Sequence, residues 1–190
     1  KYRYYILVMQ MRIITGSARG RKLISPDGRD VRPTPERVKE ALFSALQFDI
    51  EGRRILDLFA GSGQLGLEAL SRGAESAVFV DSSADSVNIV KKNIEACGFA
   101  DVSRVYNKDY SAFTALCRDR FDIAFLDPPY KAGLLEPALN SVCGLMSDYG
   151  VIVCEHPDEV KLPETVNGFS VSKVYRYGKI YMTLYRKEGK

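Results

Sequence analysis

Two clusters in this chain carry residue types that do chemistry. The first is Asp127-Pro128-Pro129-Tyr130, which follows the apolar run 121–126. A carboxylate and a backbone carbonyl at such a turn can accept the two N–H bonds of an exocyclic aromatic amine. They would hold and polarise that nitrogen while it meets an electrophile. Asp127 supplies the first acceptor and the carbonyl of Pro128 the second. Pro128 and Pro129 stiffen the turn, and Tyr130 offers a face on which a base drawn out of its helix can stack. The bland alternative is a proline-rich turn in which Asp127 is a cap.

The second cluster lies in the stretch 53–73, RRILDLFAGSGQLGLEALSRG. Gly61, Gly63 and Gly66 have the G-x-G-x-x-G dinucleotide spacing, and Asp81 stands about 20 residues on, where a ribose-binding acid belongs. Asp57 points to a different ligand. It is a carboxylate inside a strand, four residues before the first glycine. A pyrophosphate gains nothing from a nearby buried anion, whereas an ammonium and a sulfonium do. The pattern D-x-F-A-G-S-G therefore favours S-adenosylmethionine over NAD as cofactor, with an NAD-dependent oxidoreductase as the competing reading. Asp81 suits the ribose hydroxyls, since a carboxylate accepts two bonds from a diol, and Asp109 or Tyr110 suits the adenine edge.

The elements that position these residues follow from hydropathy. Apolar runs at 55–59, 76–80, 102–107, 121–126 and 151–154 read as strands. Between them, helical periodicity runs after Gly63, from Ser83 to a stop at Gly98, and over 134–146. Residues 169–177 and 180–186, joined by Gly178-Lys179, read as a closing hairpin. Ahead of the first strand, RIITG and GRKLIS suggest a small β-hairpin turning through residues 17–20. Thr34 then caps a helix with Pro35 in its first turn and the apolar stripe Val38, Ala41, Leu42, Ala45 and Leu46. This is an α/β fold: a doubly wound, mostly parallel sheet of the methyltransferase type, with a C-terminal antiparallel hairpin and a small N-terminal hairpin extension. The expected divisions are an N-terminal extension 1–10, which resembles nothing that follows and is expected to fray, a hairpin and helix 11–52, and a methyltransferase domain 53–190.

At 190 residues, 46% hydrophobic and 27% charged, the chain has the composition of a soluble globular domain rather than a disordered or membrane-embedded one. Four cysteines with no C-x-x-C spacing fit reduced thiols of a cytoplasmic protein, and a single histidine makes a histidine-based metal site unexpected. Net charge is only +3, but it is uneven: residues 11–39 and 171–190 each carry +5, and residues 40–170 carry −9. Basic ends around an acidic centre suggest a polyanionic partner. Arg37 and Lys39 near a helix start oppose the helix dipole and read as facing that partner.

Taken in order, M-R-I-I-x-G-x-x-x-G-R-x-L (residues 11–23), R-P-T-x-x-R-V-K-E-A-L-F (32–43), D-L-F-A-G-S-G-x-L-G-L-E-A-L-S-R-G-A (57–74) and L-D-P-P-Y (126–130) resemble the RsmD-type methyltransferases. That family transfers a methyl from S-adenosylmethionine to the N2 amine of a guanine in bacterial small-subunit ribosomal RNA. The resemblance implies Asp57, Phe59, Gly61 and Gly63 at the methionine end of the cofactor, Asp81 with Ser82 at the ribose, and Asp109 with Tyr110 at the adenine. It implies Asp127, Pro128, Pro129 and Tyr130 as the catalytic turn, and Arg19, Arg21, Lys22, Arg32 and Arg37 against RNA. A monomer acting on ribosomal RNA within the small subunit, without membrane contact, is expected. Adenine-N6 methylation of nucleic acid is the alternative that keeps the chemistry, and a ribosome-assembly factor is the alternative that discards it. Asp81 departs from the Glu usual at its position, Asn107-Lys108-Asp109 stands where Gly-Asp is common, and Gln64 replaces a small residue.

Overall fold

The apolar runs around Leu56, Val78 and Ala124 are short and buried, which suits strands covered on both faces. In the computed structural model, which describes residues 11–25, 36–129 and 133–187, they form the centre of one sheet. The chain order is α1 (Glu36–Ala45), β1 (Arg54–Asp57), α2 (Gln64–Ser71), β2 (Ser76–Asp81), α3 (Ala84–Cys97), β3 (Ser103–Asn107), α4 (Tyr110–Leu116), β4 (Phe121–Leu126), α5 (Leu135–Val142), β5 (Met146–Pro157), β6 (Thr165–Val166), β7 (Phe169–Tyr177) and β8 (Ile180–Lys187). The sheet order is β3-β2-β1-β4-β5-β8-β7-β6. Pairing is parallel from β3 through β5 and antiparallel from β5 through β8 and β7 to β6.

Each face of the sheet has its own core. On one face α1, α2, α3 and the segment 11–25 cover Ile55, Phe79, Ile123, Phe125 and Val153. On the other, α4 and α5 cover Leu56, Val78, Ala124, Leu126 and Cys154. The strand order reverses beside β1, between β2 and β4, so a crevice opens at their carboxyl ends. Among the described residues no helix is long and apolar enough to cross a membrane.

Several elements differ from the sequence expectation. Strand β1 ends at Asp57, ahead of Phe59, as the chain turns into the glycines. The expected 134–146 helix ends at Val142 in a 3-10 turn, because Met146 is already paired with Phe121 of β4. Strand β5 runs twelve residues, prolonged to Pro157 by its antiparallel partner β8. The arms of the N-terminal hairpin meet through one bridge, Arg12 with Lys22, rather than as two strands. Ile13 N donates to the Arg21 carbonyl and Leu23 N to the Met11 carbonyl across the arms, at 2.9 and 2.8 Å, and further bonds go to helices. Ile14 N and Thr15 N donate to the Glu68 carboxylate at 2.8 and 3.0 Å. Ala18 N donates to Ser71 Oγ at 3.0 Å, and Asn93 brackets the N–H and carbonyl of Ile24. The expected cap at Thr34 and Pro35 and the extension 1–10 lie outside the described residues.

Lys39 is a correction. It does not face a partner but is 1% exposed, donates to the Arg12 carbonyl at 2.8 Å and sits 3.5 Å from Glu68. Burial pulls its proton affinity down, partly offset by the Glu68 charge. Glu68 also meets Arg72 at 2.9 Å. Such a buried group is tolerated because the carboxylate accepts two backbone N–H bonds besides its two cations.

Candidate active site

The crevice is built from strand ends. Asp57 closes β1, and its Oδ2 accepts the Gly66 N–H at 3.0 Å. Gly66 has to be glycine, because a Cβ there would stand 2.4 Å from the Phe79 ring. Its amide therefore serves Asp57 rather than a pyrophosphate. Gly63 caps α2 with a left-handed backbone (φ 77°) and no side-chain bond, a conformation that costs glycine nothing. Asp81 at the end of β2 accepts Gly61 N–H on Oδ2 and Ser83 N–H on Oδ1, both at 2.8 Å. Both oxygens keep further lone pairs for a diol. Asn107 donates to the carbonyls of Asp81 and Ser82, each at 3.0 Å, which gives the departure at that position a structural purpose. Ser82 itself is exposed.

Asp109 caps α4, accepting Ser111 N–H at 2.8 Å and Ser111 Oγ–H at 2.6 Å; these bonds hold its carboxyl below the usual range. The adjacent Tyr110 faces Phe59 at 5.6 Å between ring centroids. The two rings form an aromatic wall between the ends of β1 and β3.

Asp127 and Pro128 leave β4 next to β5. The register Leu126 with Cys154 sets Asp127 beside Glu155, and the alternation of side chains puts both on the face occupied by Asp57. Asp57 is 3% exposed and no described basic side chain pairs with it. Burial, with a further push from Asp81 and against the Gly66 bond, raises its carboxyl to about 7. Burial, then the charges of Glu155 and Asp57, raise Asp127 well above the ordinary carboxylate range. Buried carboxylates pushed this far by desolvation and by one another mark a site that receives positive charge from a ligand. Among the described residues no cluster of three or more His, Cys, Asp and Glu is arranged to hold an ion.

The structure thus brings Asp57, Gly61, Gly63, Asp81, Asp127 and Pro128 to one crevice, with Phe59 and Tyr110 as its wall. Pro129 is exposed at the turn. Arg19, Arg21, Lys22 and Arg37 are exposed on segment 11–25 and α1. Tyr130 and Arg32 lie outside the described residues. Sequence reasoning missed Glu155, which is an acid closing an apolar run as Asp57 and Asp127 are. It also missed Glu68 and Asn93, polar residues set among apolar helix positions.

These features fit an S-adenosylmethionine donor: an anionic pocket for its ammonium and sulfonium, glycine backbone in reach, a carboxylate for its diol and an aromatic wall for its ring. The molecule is an S-adenosylmethionine-dependent methyltransferase, and the NAD-dependent reading gives way. Residues 11–186 match the family model described as "Conserved hypothetical protein 95". The chain belongs to that family, the RsmD-type methyltransferases. It is 38% identical over 181 residues to "Ribosomal RNA small subunit methyltransferase D" of Escherichia coli (strain K12), covering 94% of this chain and 91% of that one. The solved structure of the Escherichia coli protein yhhF superposes with a TM-score of 0.83 at 36% identity, covering 95% and 99% of the two chains. The structure of SMU.776 complexed with SAH shares the fold alone, with a TM-score of 0.73 at 13% identity over 87% of this chain and 53% of that one.

Proposed function

We propose that the chain methylates the N2 amine of a guanine in small-subunit ribosomal RNA. The observation that carries this reading is the placement of Asp127 and the Pro128 carbonyl at the end of β4, on the sheet edge and face where Asp57 closes β1. An amine acceptor thus stands beside a pocket for a cationic donor. The name of the Escherichia coli relative, a small-subunit ribosomal RNA methyltransferase, supports ribosomal RNA as the substrate. The resemblance of the four motifs in combination, from residues 11–23 to L-D-P-P-Y, supports the guanine amine.

When bound, the cofactor supplies an electrophilic methyl on a sulfonium. Asp57 balances its charge, Asp81 holds the ribose, and Phe59 with Tyr110 flank the adenine. Asp109 is committed to its helix cap through Oδ1, so its part at the adenine falls to Oδ2 and to the start of α4. Asp127 and Pro128 orient the amine, and Asp127 in its ionised form takes up the positive charge that develops on nitrogen. Mapping the product by mass spectrometry, after incubation of unmethylated small subunits with enzyme and cofactor, should find one methyl on N2 of one guanine. A methyl on adenine N6 would sink the proposal.

Cofactor class and RNA face have separate checks. S-adenosylhomocysteine at about 100 times its Kd should stabilise the protein by roughly 2.7 kcal/mol, raising Tm by roughly 5–10 °C for a chain of this size. NADH should leave Tm where it is. The exposed Arg19 and Arg21 are placed against phosphates. Replacing both with alanine should weaken RNA binding and reduce the slope of log affinity against log salt by roughly 1.4 to 1.8. An unchanged slope would move the RNA face elsewhere.

A further inference from the structure

The turn after β4 forms one side of a small cavity. Pro128, Pro129, Leu135, Glu155, His156 and Lys161 are among the residues that line it, and its volume is about 130 Å³, the scale of a single heterocycle rather than a nucleotide. Its walls are mostly apolar, as a flat ring requires. Glu155 is 3% exposed, on the strand next to Asp127 and level with it, and its side chain lies on the face of the sheet that Asp57 occupies. Neighbouring strands are about 4.8 Å apart. Two carboxylates at that spacing can accept from two adjacent nitrogens on one ring edge.

We propose that Glu155 accepts the ring N1–H of the target guanine and thereby excludes adenine, a role that rests on the guanine-amine reading above. Guanine presents N1–H directly beside its N2 amine. With Asp127 and Pro128 on the amine hydrogens, the next donor along that edge is N1–H, and the next acceptor along the sheet is Glu155. Adenine carries a lone pair at N1, which would face a buried carboxylate with no hydrogen between them. A site built around a hydrogen bond rejects the analogue that lacks it more strongly than a merely apolar pocket rejects a misfit.

The test compares RNA carrying guanine with RNA carrying 2-aminopurine at the target position. 2-Aminopurine keeps the N2 amine but has no N1–H. Wild-type protein should prefer guanine in kcat/KM by roughly 10- to 100-fold, the worth of one hydrogen bond to a charged group. In Glu155→Gln the carboxamide can donate to the 2-aminopurine N1, so the preference should collapse toward parity or invert. Binding of S-adenosylhomocysteine and the melting temperature serve as the check on folding. Equal use of both bases by the wild type, which needs no variant, overturns the role of Glu155. So does a variant that slows on both bases in proportion, because that is what a purely structural residue would do. A methyl found on a different base overturns the guanine assignment and the role of Glu155 together, and is told apart by the mass map.

Discussion

Asp127→Ala is expected to lower methyl transfer by roughly 10²- to 10³-fold or more, while S-adenosylhomocysteine still binds. The aniline-like amine of a purine is a poor nucleophile because its lone pair is shared with the ring. On the function proposed above, Asp127 counters this by holding an N–H and by meeting the charge that grows on nitrogen. The residue follows β4 beside the donor pocket rather than inside the glycine loop, so its removal should spare cofactor affinity. Single-turnover methylation and calorimetric titration separate the two effects; loss of both would make Asp127 a structural residue. The rate should also depend on pH. Asp127 holds its proton above the ordinary carboxylate range and accepts best when ionised, so the rate should rise with pH across that elevated range. Asp127 will release its proton more readily once a cation lies beside Asp57, so the midpoint should be lower with cofactor bound than in the free protein. The rising limb should be missing in Asp127→Asn.

Asp57→Asn should produce the second large change, in opposite directions for binding and for stability. The amide keeps an oxygen for the Gly66 N–H but loses the charge, so cofactor affinity should fall on the order of 10- to 100-fold. The free protein, however, should become more stable at neutral pH and above. In the fold, Asp57 keeps its proton up to about pH 7, whereas its ordinary value is 3.8. The folded state therefore binds more protons between those values. Its stabilising contribution is complete below about pH 4 and is lost as the pH climbs through about 7. The loss is on the order of 4 kcal/mol, at about 1.4 kcal/mol per pKa unit. Melting curves of the free wild-type and Asp57→Asn proteins should lie close at pH 4 and separate at pH 8, with the variant higher. Parallel curves would show that Asp57 is already compensated in the fold.

Much of the site was legible because it is local. The acid at the end of one apolar run, the glycines after it and the acid-proline pair at the end of another each lie within one strand and its turn. The strand–turn–helix order then forces them to one edge. What stayed hidden depends on partners far along the chain. Lys39 looks like a surface base because its counter-charge, Glu68, lies on a different helix. The hairpin's anchoring to the helices depends on Glu68, Ser71 and Asn93, none near it in sequence. Helix α4, seven residues long, is too short to print a periodic signature. Glu155 was overlooked because β5 seemed to stop at Cys154, whereas pairing with β8 carries the strand on to Pro157.

The fastening of residues 11–25 has a mechanical meaning. Backbone groups of that segment are tied to α2 through Glu68 and Ser71, and to α3 through Asn93, which also holds the Ser62 carbonyl of the glycine loop. The basic turn and the donor pocket are therefore parts of one stiff frame, like a template with its clamp already welded on. Such a frame loses little conformational entropy when it grips a strand. It also cannot reach toward a nucleotide that is out of place. On the function proposed above, bending and unstacking fall to the RNA, and a loop already frayed at the target should be modified faster than the same letters locked in a duplex.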